Sequence, residues 1–448
     1  MGRLVVVSNR VPSSSDRHHP AGGLAVALQD ALRRGESLWF GWSGKQVAEE
    51  EKHSRTVSQE QVENVTYATI DLTHSEFDGF YQKYSNGILW PLCHYRAGLM
   101  DFIRRDREIY LDVNKFYARK LRDLLRPDDI IWVHDYHLFP FAQALRNLGV
   151  KNKIGFFLHI PFPPWSLMKS LPSAVSLLKN MQAYDVIGLQ TEDDARNMND
   201  GFMQCGFGPR AQAFPIGIDP DSFARQAEAG EHDAEVHRLK ASLRGRPLVI
   251  GVDRLDYSKG LPERFLGYEA FLKRFPEHKG KVMYLQITPV SRGNVADYKA
   301  LKRDLDETAG RINGMYGDFD WTPIRYLTQS VPRHLLAGFY RLADAALVTP
   351  LRDGMNLVAK EFVAAQKEHN PGSLILSRFA GAAAEMEDAL LVNPHDPEEI
   401  SDALHRALIM PKAERLARGK KLRESVWRVT ASSWARDFLE ELSKDRPE

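Results

Sequence analysis

Residues 345–361 read AALVTPLRDGMNLVAKE. The apolar start of this stretch predicts a buried strand, the segment around Asp353 predicts a turn, and the remainder predicts a helix that carries Glu361 about two turns in. Ligands of open α/β sheets bind at the carboxyl ends of the strands, where the helix N-terminus also offers free N–H groups to an anion. A carboxylate in the turn, a second on the helix and the backbone between them suit a nucleotide sugar. Two solvated acids in a helix-capping segment are the simpler alternative.

The same alternation of short apolar runs and amphipathic helices continues along the chain. Several runs are apolar on both faces, as buried parallel strands are, and they are too numerous for one sheet. The predicted strands are residues 4–8, 130–134, 154–159, 186–190, 248–252, 282–287, 347–350, 374–377 and 390–393. The clearest amphipathic helices are residues 24–34, 262–274 and 333–342.

A charged segment separates the two halves of this pattern. Residues 225–246 lack large apolar clusters, and a strand restarts the alternation directly after them. We therefore expect an α/β protein with two doubly wound domains, residues 1–235 and 236–425. The final segment, residues 426–448, is expected to be a charge-rich helix.

The composition is that of an ordinary globular protein and excludes several classes of function. The 448 residues carry a formal net charge of +1, so no global field favours nucleic acid or an anionic membrane. The two cysteines, Cys93 and Cys205, lie far apart and form no CxxC motif, so the sequence indicates neither a disulfide framework nor a zinc site. Since neither a signal pattern nor a membrane-spanning run is evident, we expect a cytoplasmic protein.

The first predicted strand and the helix after it carry groups suited to phosphate. Arg10, at the end of the strand, would offer a planar guanidinium. Gly22 and Gly23 open the next helix and leave no Cβ in the path of a phosphate. A surface arginine and a simple glycine turn are the alternatives.

Polar side chains also end two later strands of the first half. Asp135 follows the strand at 130–134 and could accept hydrogen bonds from sugar hydroxyls or act as a base. His134 and His137 invite a metal interpretation, which the lack of a third ligand nearby disfavours. His159 ends the next strand and is either a core histidine or part of a site. The aromatic segment 80–91 can line a sugar site or simply fill the core.

In the second half, residues 251–260 read GVDRLDYSKG and place two cations in one loop. Arg254 and Lys259 could neutralise a diphosphate leaving group when no metal does so. Asp253 and Asp256 raise the alternative that the loop forms ion pairs with itself. We favour the functional interpretation.

One motif is misleading. Residues 318–322, DFDWT, match the DxDxT pattern of phosphatases that form an aspartyl phosphate. That chemistry needs the first acid at the end of a buried strand, and the preceding residues are polar and glycine-rich.

Taken together, the chain resembles the retaining glycosyltransferases of the trehalose-6-phosphate synthase family. The resemblance runs in family order from residue 3 to beyond residue 361 and therefore covers nearly the whole chain. The strings that carry it are LVVVSNR, AGGLA, LWFGWSG, SNGILWP, IIWVHDYH, FFLHIPFP, RLDYSKGLPERF, SRGN, AGRING and TPLRDGMNLVAKEF.

This resemblance implies a GT-B architecture, in which two Rossmann-like domains face each other across a cleft and a C-terminal helix packs back toward the N-terminal domain. It implies transfer of glucose from UDP-glucose to glucose 6-phosphate, which gives α,α-trehalose 6-phosphate and UDP. It also implies that no metal and no other cofactor is required. We further expect a homo-oligomer, a dimer or a tetramer, that binds neither nucleic acid nor membrane.

The resemblance assigns roles position by position. The glucose-6-phosphate site matches Arg10, Tyr81, Trp90, Asp135 and Arg292. The donor site matches Gly22, Gly23, Arg254, Lys259, Tyr340, Asp353, Leu357, Val358, Ala359, Lys360 and Glu361. Within these sets, Asp353 would hold the transferred glucose and Glu361 the ribose, while Trp90 and His159 lie near the sugar ring. The residues expected to carry catalysis are Arg254, Lys259, Asp353 and His159.

Some alternatives stay open at this stage. Tyr340 stands where some family members have phenylalanine near the uracil, so ADP- or GDP-glucose could replace UDP-glucose. Another acceptor such as glycerol 3-phosphate, or a pseudo-sugar, is a second possibility, and a sugar-phosphate sensor without turnover is a third. A nicotinamide dehydrogenase is disfavoured because no G-x-G-x-x-G follows the first strand.

Overall fold

Two units, each built on its own sheet, make up the chain in this computed structural model. The first unit comprises Met1–Ile216 and Ala431–Glu448, and the second comprises Gly217–Thr430. The structure describes residues 2–13, 28, 32, 35–290 and 296–444. The predicted helix at 24–34 therefore lies almost wholly outside the described residues.

The first unit holds an eight-stranded sheet in the order β3-β4-β2-β1-β5-β6-β7-β8. All neighbouring strands are parallel except β3 and β4, which are antiparallel. Chain order reverses between β1 and β5, which makes this the topological switch point of the sheet. The strands are β1 (Leu4–Arg10), β2 (Ser37–Val47), β3 (Ser58–Val62), β4 (Val65–Thr73), β5 (Ile130–His134), β6 (Ile154–Phe157), β7 (Val186–Leu189) and β8 (Ala211–Ala213).

Helices connect these strands, and one of them is unusual. Residues Phe77–Leu89 form a π-helix, a conformation rare beyond a single turn. The longer α-helices are α1 (Arg104–Arg122), α2 (Phe141–Asn147), α3 (Ala174–Met181) and α4 (Glu192–Gln204). Shorter helical segments are Glu49–His53, His74–Glu76, Trp90–Cys93, Ala97–Leu99, Tyr136–Leu138 and Trp165–Met168.

The second unit holds a six-stranded parallel sheet in the order β11-β10-β9-β12-β13-β14. Counted from β9, this is the 3-2-1-4-5-6 order of dinucleotide-binding folds, with its switch point between β9 and β12. The strands are β9 (Leu248–Val252), β10 (Met283–Ile287), β11 (Ile324–Leu327), β12 (Ala345–Val348), β13 (Ser373–Ser377) and β14 (Leu390–Val392).

The helices of the second unit begin before its first strand. They are α5 (Pro220–Gly230), α6 (Ala234–Leu243), α7 (Leu261–Arg274), α8 (Ala296–Tyr316), α9 (Arg333–Leu342), α10 (Leu357–Ala365), α11 (Pro397–Ile409) and α12 (Lys412–Arg428), with short segments at Tyr257–Lys259, Pro276–His278 and Gly381–Ala384. A Cβ at Gly230 would lie 2.5 Å from the backbone oxygen of His334, so α5 packs directly on α9. The expected domain limit at residue 235 therefore falls within the second unit, after α5.

The last helix, α13 (Ala431–Ser443), belongs to the first unit. The Trp132 ring of β5 stacks on Phe438 with ring centroids 4.9 Å apart and lies 4.8 Å from Trp434. Gly155 of β6 makes room for this helix, since a Cβ there would lie 2.7 Å from Phe438 and 2.8 Å from Leu442. Helix α13 thus completes the hydrophobic core of the first unit.

Every strand predicted from the sequence is present, within two residues at its ends. The structure adds β2, β3, β4, β8 and β11. None of the helices among the described residues has both the length and the apolar character to cross a membrane.

We expect Gly155→Ala to lower the stability of the first unit by about 1–3 kcal/mol, because the new methyl group overpacks the α13 contact. Urea unfolding, together with hydrogen exchange of residues 431–443, measures the effect. Gly35→Ala is the matched control, since no atom lies within 4 Å of a Cβ at Gly35. Equal stabilities of the two variants would contradict this account of the packing.

Candidate active site

An ion pair joins the two loops at the switch point of the second sheet. Lys259 lies in the loop after β9 and Asp353 in the loop after β12. The Lys259 Nζ donates to Asp353 Oδ2 at 2.5 Å, and both side chains are largely buried, with 13% and 14% exposed. Since β9 and β12 are neighbours in the sheet, the fold itself brings these two distant residues together.

Asp353 is held from several sides. Asn356 donates from its side-chain nitrogen to Asp353 Oδ2 at 3.0 Å. The Asp353 backbone N–H donates to the oxygen of Phe379, and its carbonyl accepts from Gly381 N, both at 3.1 Å. The carboxylate therefore has a fixed position at the carboxyl edge of the sheet.

Asn356 also starts the helix that follows. It has a φ of 72°, and its side-chain oxygen accepts from Ala359 N at 3.3 Å as the N-cap of α10. A positive φ is uncommon in residues other than glycine, and strained conformations of this kind cluster at functional sites. Because α10 begins in the loop after β12, its first N–H groups lie at the same edge of the sheet as Asp353, which is a position suited to phosphate.

A second cation, Arg254, lies in the loop after β9. Its guanidinium is 3.1 Å from Asp256 Oδ2, and 38% of its side chain is exposed, whereas the Asp256 side chain is fully buried. The other Asp256 oxygen accepts from Ser258 N at 3.0 Å and from its hydroxyl at 2.9 Å. The ion pair within the loop is therefore compatible with a functional role for Arg254, because the buried Asp256 fixes the position of a guanidinium that stays partly exposed.

Arg264 organises this loop and was not among the residues predicted from the sequence. Its fully buried guanidinium lies 2.7 Å from Asp253, and it donates to Thr349 Oγ1 at 2.9 Å and to the Lys259 carbonyl at 3.3 Å. Burial raises the pKa of Asp253, against the lowering effect of Arg264 and Lys259. The signal was available, since Arg264 lies within the quoted string RLDYSKGLPERF.

Within the predicted donor stretch on α10, some residues can offer a side chain to a ligand and others can offer only their backbone. Glu361 pairs with Arg333 at 3.2 Å, and burial raises the pKa of its carboxyl against the lowering effect of that arginine. Lys360 is buried in an ion pair with Glu385 at 2.6 Å, so only its backbone can serve a ligand. Leu357 and Val358 are half-buried and Ala359 is buried.

Tyr340 is buried more deeply than expected for a residue near a base. Its side chain is 1% exposed and lies between Phe223 and Phe362, each with its ring centroid 6.3 Å away. The Tyr340 carbonyl accepts from the side chain of Gln366 at 2.6 Å. In this conformation Tyr340 is a core residue.

The first unit has a comparable arrangement at its own switch point. Arg10 ends β1 and is exposed, and Asp135 follows β5 with a φ of 77°. The Arg10 guanidinium lies against Gly44, where a Cβ would be 3.0 Å from the Arg10 Nε. Gly44, with a φ of 92°, is a second residue that sequence analysis missed, although it ends the quoted string LWFGWSG.

Aromatic rings surround Tyr81 on the π-helix. Its ring lies parallel to that of His137, with centroids 5.7 Å apart and planes 10° apart, and it also contacts Trp42 and Phe77. Trp90, directly after the π-helix, is buried against Tyr136. The segment that could have been either core or sugar site is therefore mostly core, with a half-buried Tyr81 at its edge.

His159 belongs to a chain of polar contacts behind Asp135. The His159 backbone N–H donates to Asp135 Oδ1 at 3.3 Å, and the His159 Nε2 lies 3.1 Å from the Nδ1 of His134. The Gln190 side-chain oxygen Oε1 accepts from Ile216 N at 3.0 Å, and the Gln190 Nε2 lies 3.5 Å from His159 Nδ1. Burial lowers the pKa of His159 to about 3, so its imidazole is neutral near pH 7.

Three of the predicted site residues, Gly22, Gly23 and Arg292, lie outside the described residues. Their assignments stay predictions. The structure brings Lys259 and Asp353 into direct contact at the switch point of the second sheet, with Arg254 in the same loop as Lys259. At the switch point of the first sheet, Arg10 ends β1 and Asp135 follows the neighbouring strand β5.

Comparison with known proteins identifies the family. Residues 2–444 match the sequence profile of Glycosyltransferase family 20. The chain belongs to this family. A trehalose-6-phosphate synthase of Cronobacter sakazakii is 47% identical to this family 20 chain, over 100% of the chain and 96% of the relative.

Solved structures agree with the assignment to family 20. A UDP-forming α,α-trehalose-phosphate synthase of Burkholderia xenovorans, in complex with glucose-6-phosphate, has a TM-score of 0.95 at 45% identity and covers 99% of this chain and 100% of its own. The Escherichia coli trehalose-6-phosphate protein bound with UDP-2-fluoro glucose has a TM-score of 0.94 at 46% identity, with 100% of both chains covered. The predicted fold class, α/β with two doubly wound domains of the GT-B type, is confirmed.

The buried histidines of this family 20 member predict a pH dependence of stability. Burial lowers the pKa of His134 well below 6.5, and His159 lowers it further. As the pH falls below 6.5, the unfolded chain binds a proton at this residue while the folded protein does not, so stability is lost as the pH falls. We expect His134→Gln to reduce the stability lost between pH 7.5 and pH 5.5 by about 1 kcal/mol, measured by urea unfolding.

The exposed His369 provides the control for this measurement. The same measurement on His369→Gln gives the change in pH dependence that follows from removing an exposed histidine, and the effect of His134→Gln should exceed it. If His134→Gln loses as much stability as the unmodified protein over this pH range, His134 is not held neutral by the fold.

Proposed function

We propose that this family 20 glycosyltransferase transfers glucose from UDP-glucose to glucose 6-phosphate and releases UDP and α,α-trehalose 6-phosphate. The observation that carries the proposal is the pairing of Lys259 with Asp353 at the switch point, beside the exposed Arg254. This puts cations for a diphosphate and a carboxylate for sugar hydroxyls at one strand edge. The glucose-6-phosphate and UDP-2-fluoro glucose complexes of the related structures support the choice of substrates.

In the donor site, Lys259 and Arg254 neutralise the diphosphate as it departs. The N–H groups at the start of α10 add further stabilisation of the developing negative charge. Asp353 accepts hydrogen bonds from the glucose hydroxyls, and Glu361 accepts from the ribose. Because Asp353 already holds Lys259, one contact orients both the acid and the cation before the donor binds.

In the acceptor site, Arg10 binds the phosphate of glucose 6-phosphate, and Tyr81 and Asp135 bind its hydroxyls. Gly44 supports this role because the missing side chain leaves room for the Arg10 guanidinium. Arg292 is proposed as a second phosphate ligand on the resemblance alone, and His159 and Trp90 as contacts to the sugar.

Glucose transfer proceeds with retention on one face of the sugar. The bond from C1 of glucose to the phosphate oxygen breaks, and the acceptor hydroxyl forms a bond to C1 from the same face. The acceptor proton passes to an oxygen of the departing phosphate. Asp353 and Glu361 bind sugars in this scheme, and neither carries the proton.

A substrate panel tests the reaction itself. Nucleotide release is measured with UDP-, ADP- and GDP-glucose, each with glucose 6-phosphate or glycerol 3-phosphate, and the product mass is determined. We expect the highest kcat/KM with UDP-glucose and glucose 6-phosphate, because the acceptor and donor residues match that pair. A higher kcat/KM with another pair would replace the proposed substrates, and binding without nucleotide release would indicate a sensor.

Removal of the Lys259 ammonium group, at the switch point of the second sheet, should slow the transfer of glucose. We expect Lys259→Ala to lower kcat by roughly 10²–10³, the usual cost of removing one stabilising contact to transition-state charge. The measurement is UDP release at saturating donor and acceptor.

Lys302→Ala is the matched control, because Lys302 forms an exposed lysine–aspartate pair with Asp306 at 2.6 Å. Lys302→Ala should leave kcat unchanged. Near-normal kcat in Lys259→Ala would remove this lysine from the mechanism.

We also propose that catalysis needs no metal ion, since Lys259 and Arg254 supply the positive charge that a metal would otherwise bring to the diphosphate. Turnover should therefore be unchanged by EDTA after dialysis, measured well below the unfolding temperature. A sharp loss of kcat in EDTA, restored by Mg²⁺, would overturn the proposal.

A homo-oligomeric state and a cytoplasmic location stay predictions. The formal net charge of +1 supports the expectation that neither nucleic acid nor an anionic membrane is a partner.

A further inference from the structure

Two histidines and a glutamate converge in the second unit, at the opposite end of α7 from Lys259. His278 follows α7 in the segment Pro276–His278, and His405 lies on α11. The His278 Nε2 is 3.0 Å from the His405 Nδ1, and Glu277 Oε1 is 3.9 Å from the same His405 atom. Among the described residues, this is the one group of three potential metal ligands whose donor atoms all lie within 4.8 Å of one another.

Neighbouring aromatic rings fix both imidazoles. Phe275 stacks on His405 with ring centroids 3.9 Å apart and planes 4° apart. Phe271 lies 4.8 Å from the ring of His278. Side chains held in this way lose little conformational freedom when a ligand binds, which favours binding.

The local electrostatics also favour a cation. Both imidazoles are half-buried, and each must be in its neutral form to bind a metal ion. Arg274, which ends α7, is paired with Asp402 at 3.0 Å. The carboxylate of Glu277 is exposed and adds a negative charge beside the two imidazoles.

A hydrogen bond between the two imidazoles accounts for the distance between their nitrogen atoms when no ion is bound. Two imidazoles on one tetrahedral zinc ion have nitrogen atoms about 3.3 Å apart, given bonds of about 2.0–2.1 Å. The observed spacing of 3.0 Å therefore needs only a small shift to admit an ion.

We propose that Glu277, His278 and His405 bind one divalent transition-metal ion of the zinc class, with water as the fourth ligand. Two imidazoles and one carboxylate suit zinc, nickel or copper and do not suit magnesium, which prefers oxygen ligands. The ion would cross-link the end of α7 to α11. Helix α7 has 14 residues and spans about 20 Å, so the ion lies far from Gly260 at the start of the helix and acts on stability, not on the transfer reaction.

The test uses the full chain without a histidine tag, stripped with EDTA, and ZnCl₂ as the probe. Isothermal titration should give one site per chain, and thermal unfolding should shift upward by about 5 °C at a hundredfold excess over Kd. MgCl₂ should give neither effect. His405→Ala and Glu277→Gln should each weaken zinc binding by at least about tenfold, because each removes one of three ligands.

His369→Ala is the control, because His369 is exposed and lies outside the cluster. It should bind zinc as the unmodified protein does. The proposal is overturned if the stripped protein does not bind zinc, or if His405→Ala binds it with unchanged affinity. The turnover of stripped and zinc-loaded protein should be equal at a temperature where both are folded. The zinc titration and the substrate panel can therefore fail independently of each other.

Discussion

The buried ion pair between Arg264 and Asp253 is the contact on which the arrangement of the second unit's switch point depends. Arg264 lies on α7, Asp253 follows β9, and the same guanidinium donates to Thr349 at the end of β12 and to the Lys259 carbonyl. Removing two charges from water is costly, so such a pair contributes little net stability. Its effect is geometric, because it fixes the loop after β9 against the end of β12 and thereby sets where Lys259 meets Asp353.

The two units have strained residues at equivalent positions of their sheets, although the residues themselves differ. In each sheet, the strand beyond the switch point ends in a loop that contains a strained residue other than glycine, Asp135 after β5 and Asn356 after β12. Each strained residue is followed by a helical segment, and each lies at the carboxyl edge where ligands of α/β sheets bind. Such strain persists only where the surrounding contacts enforce it. Next to Asn356, the hydrogen bonds made by the backbone and the side chain of Asp353 are contacts of this kind.

The sequence predicted the central strands because they are apolar on both faces. It did not predict β2 and β3, since β2 ends in the polar residues SGKQV and β3 is exposed throughout. Chemistry-bearing residues at strand ends, such as Lys259 and Asp353, were predictable from charge and position. Arg264 and Gly44 lie within strings that carry the family resemblance, but their roles were not predictable, because those roles come from contacts across the fold that no local pattern reveals. Burial likewise distinguishes Tyr340 and Lys360, whose side chains face the interior, from neighbours on the same helices.

Helix α13 comes from the end of the chain, yet it fills the core of the unit that is synthesised first. Trp132 and Gly155 form their contacts with Phe438 only after the whole second unit has left the ribosome. Until then, the first unit exposes an apolar surface, and such surfaces on incomplete domains favour aggregation. The first unit therefore finishes folding only after the second unit has been synthesised. A chain truncated after Thr430 leaves the first unit incomplete even though the strands of its sheet are all present.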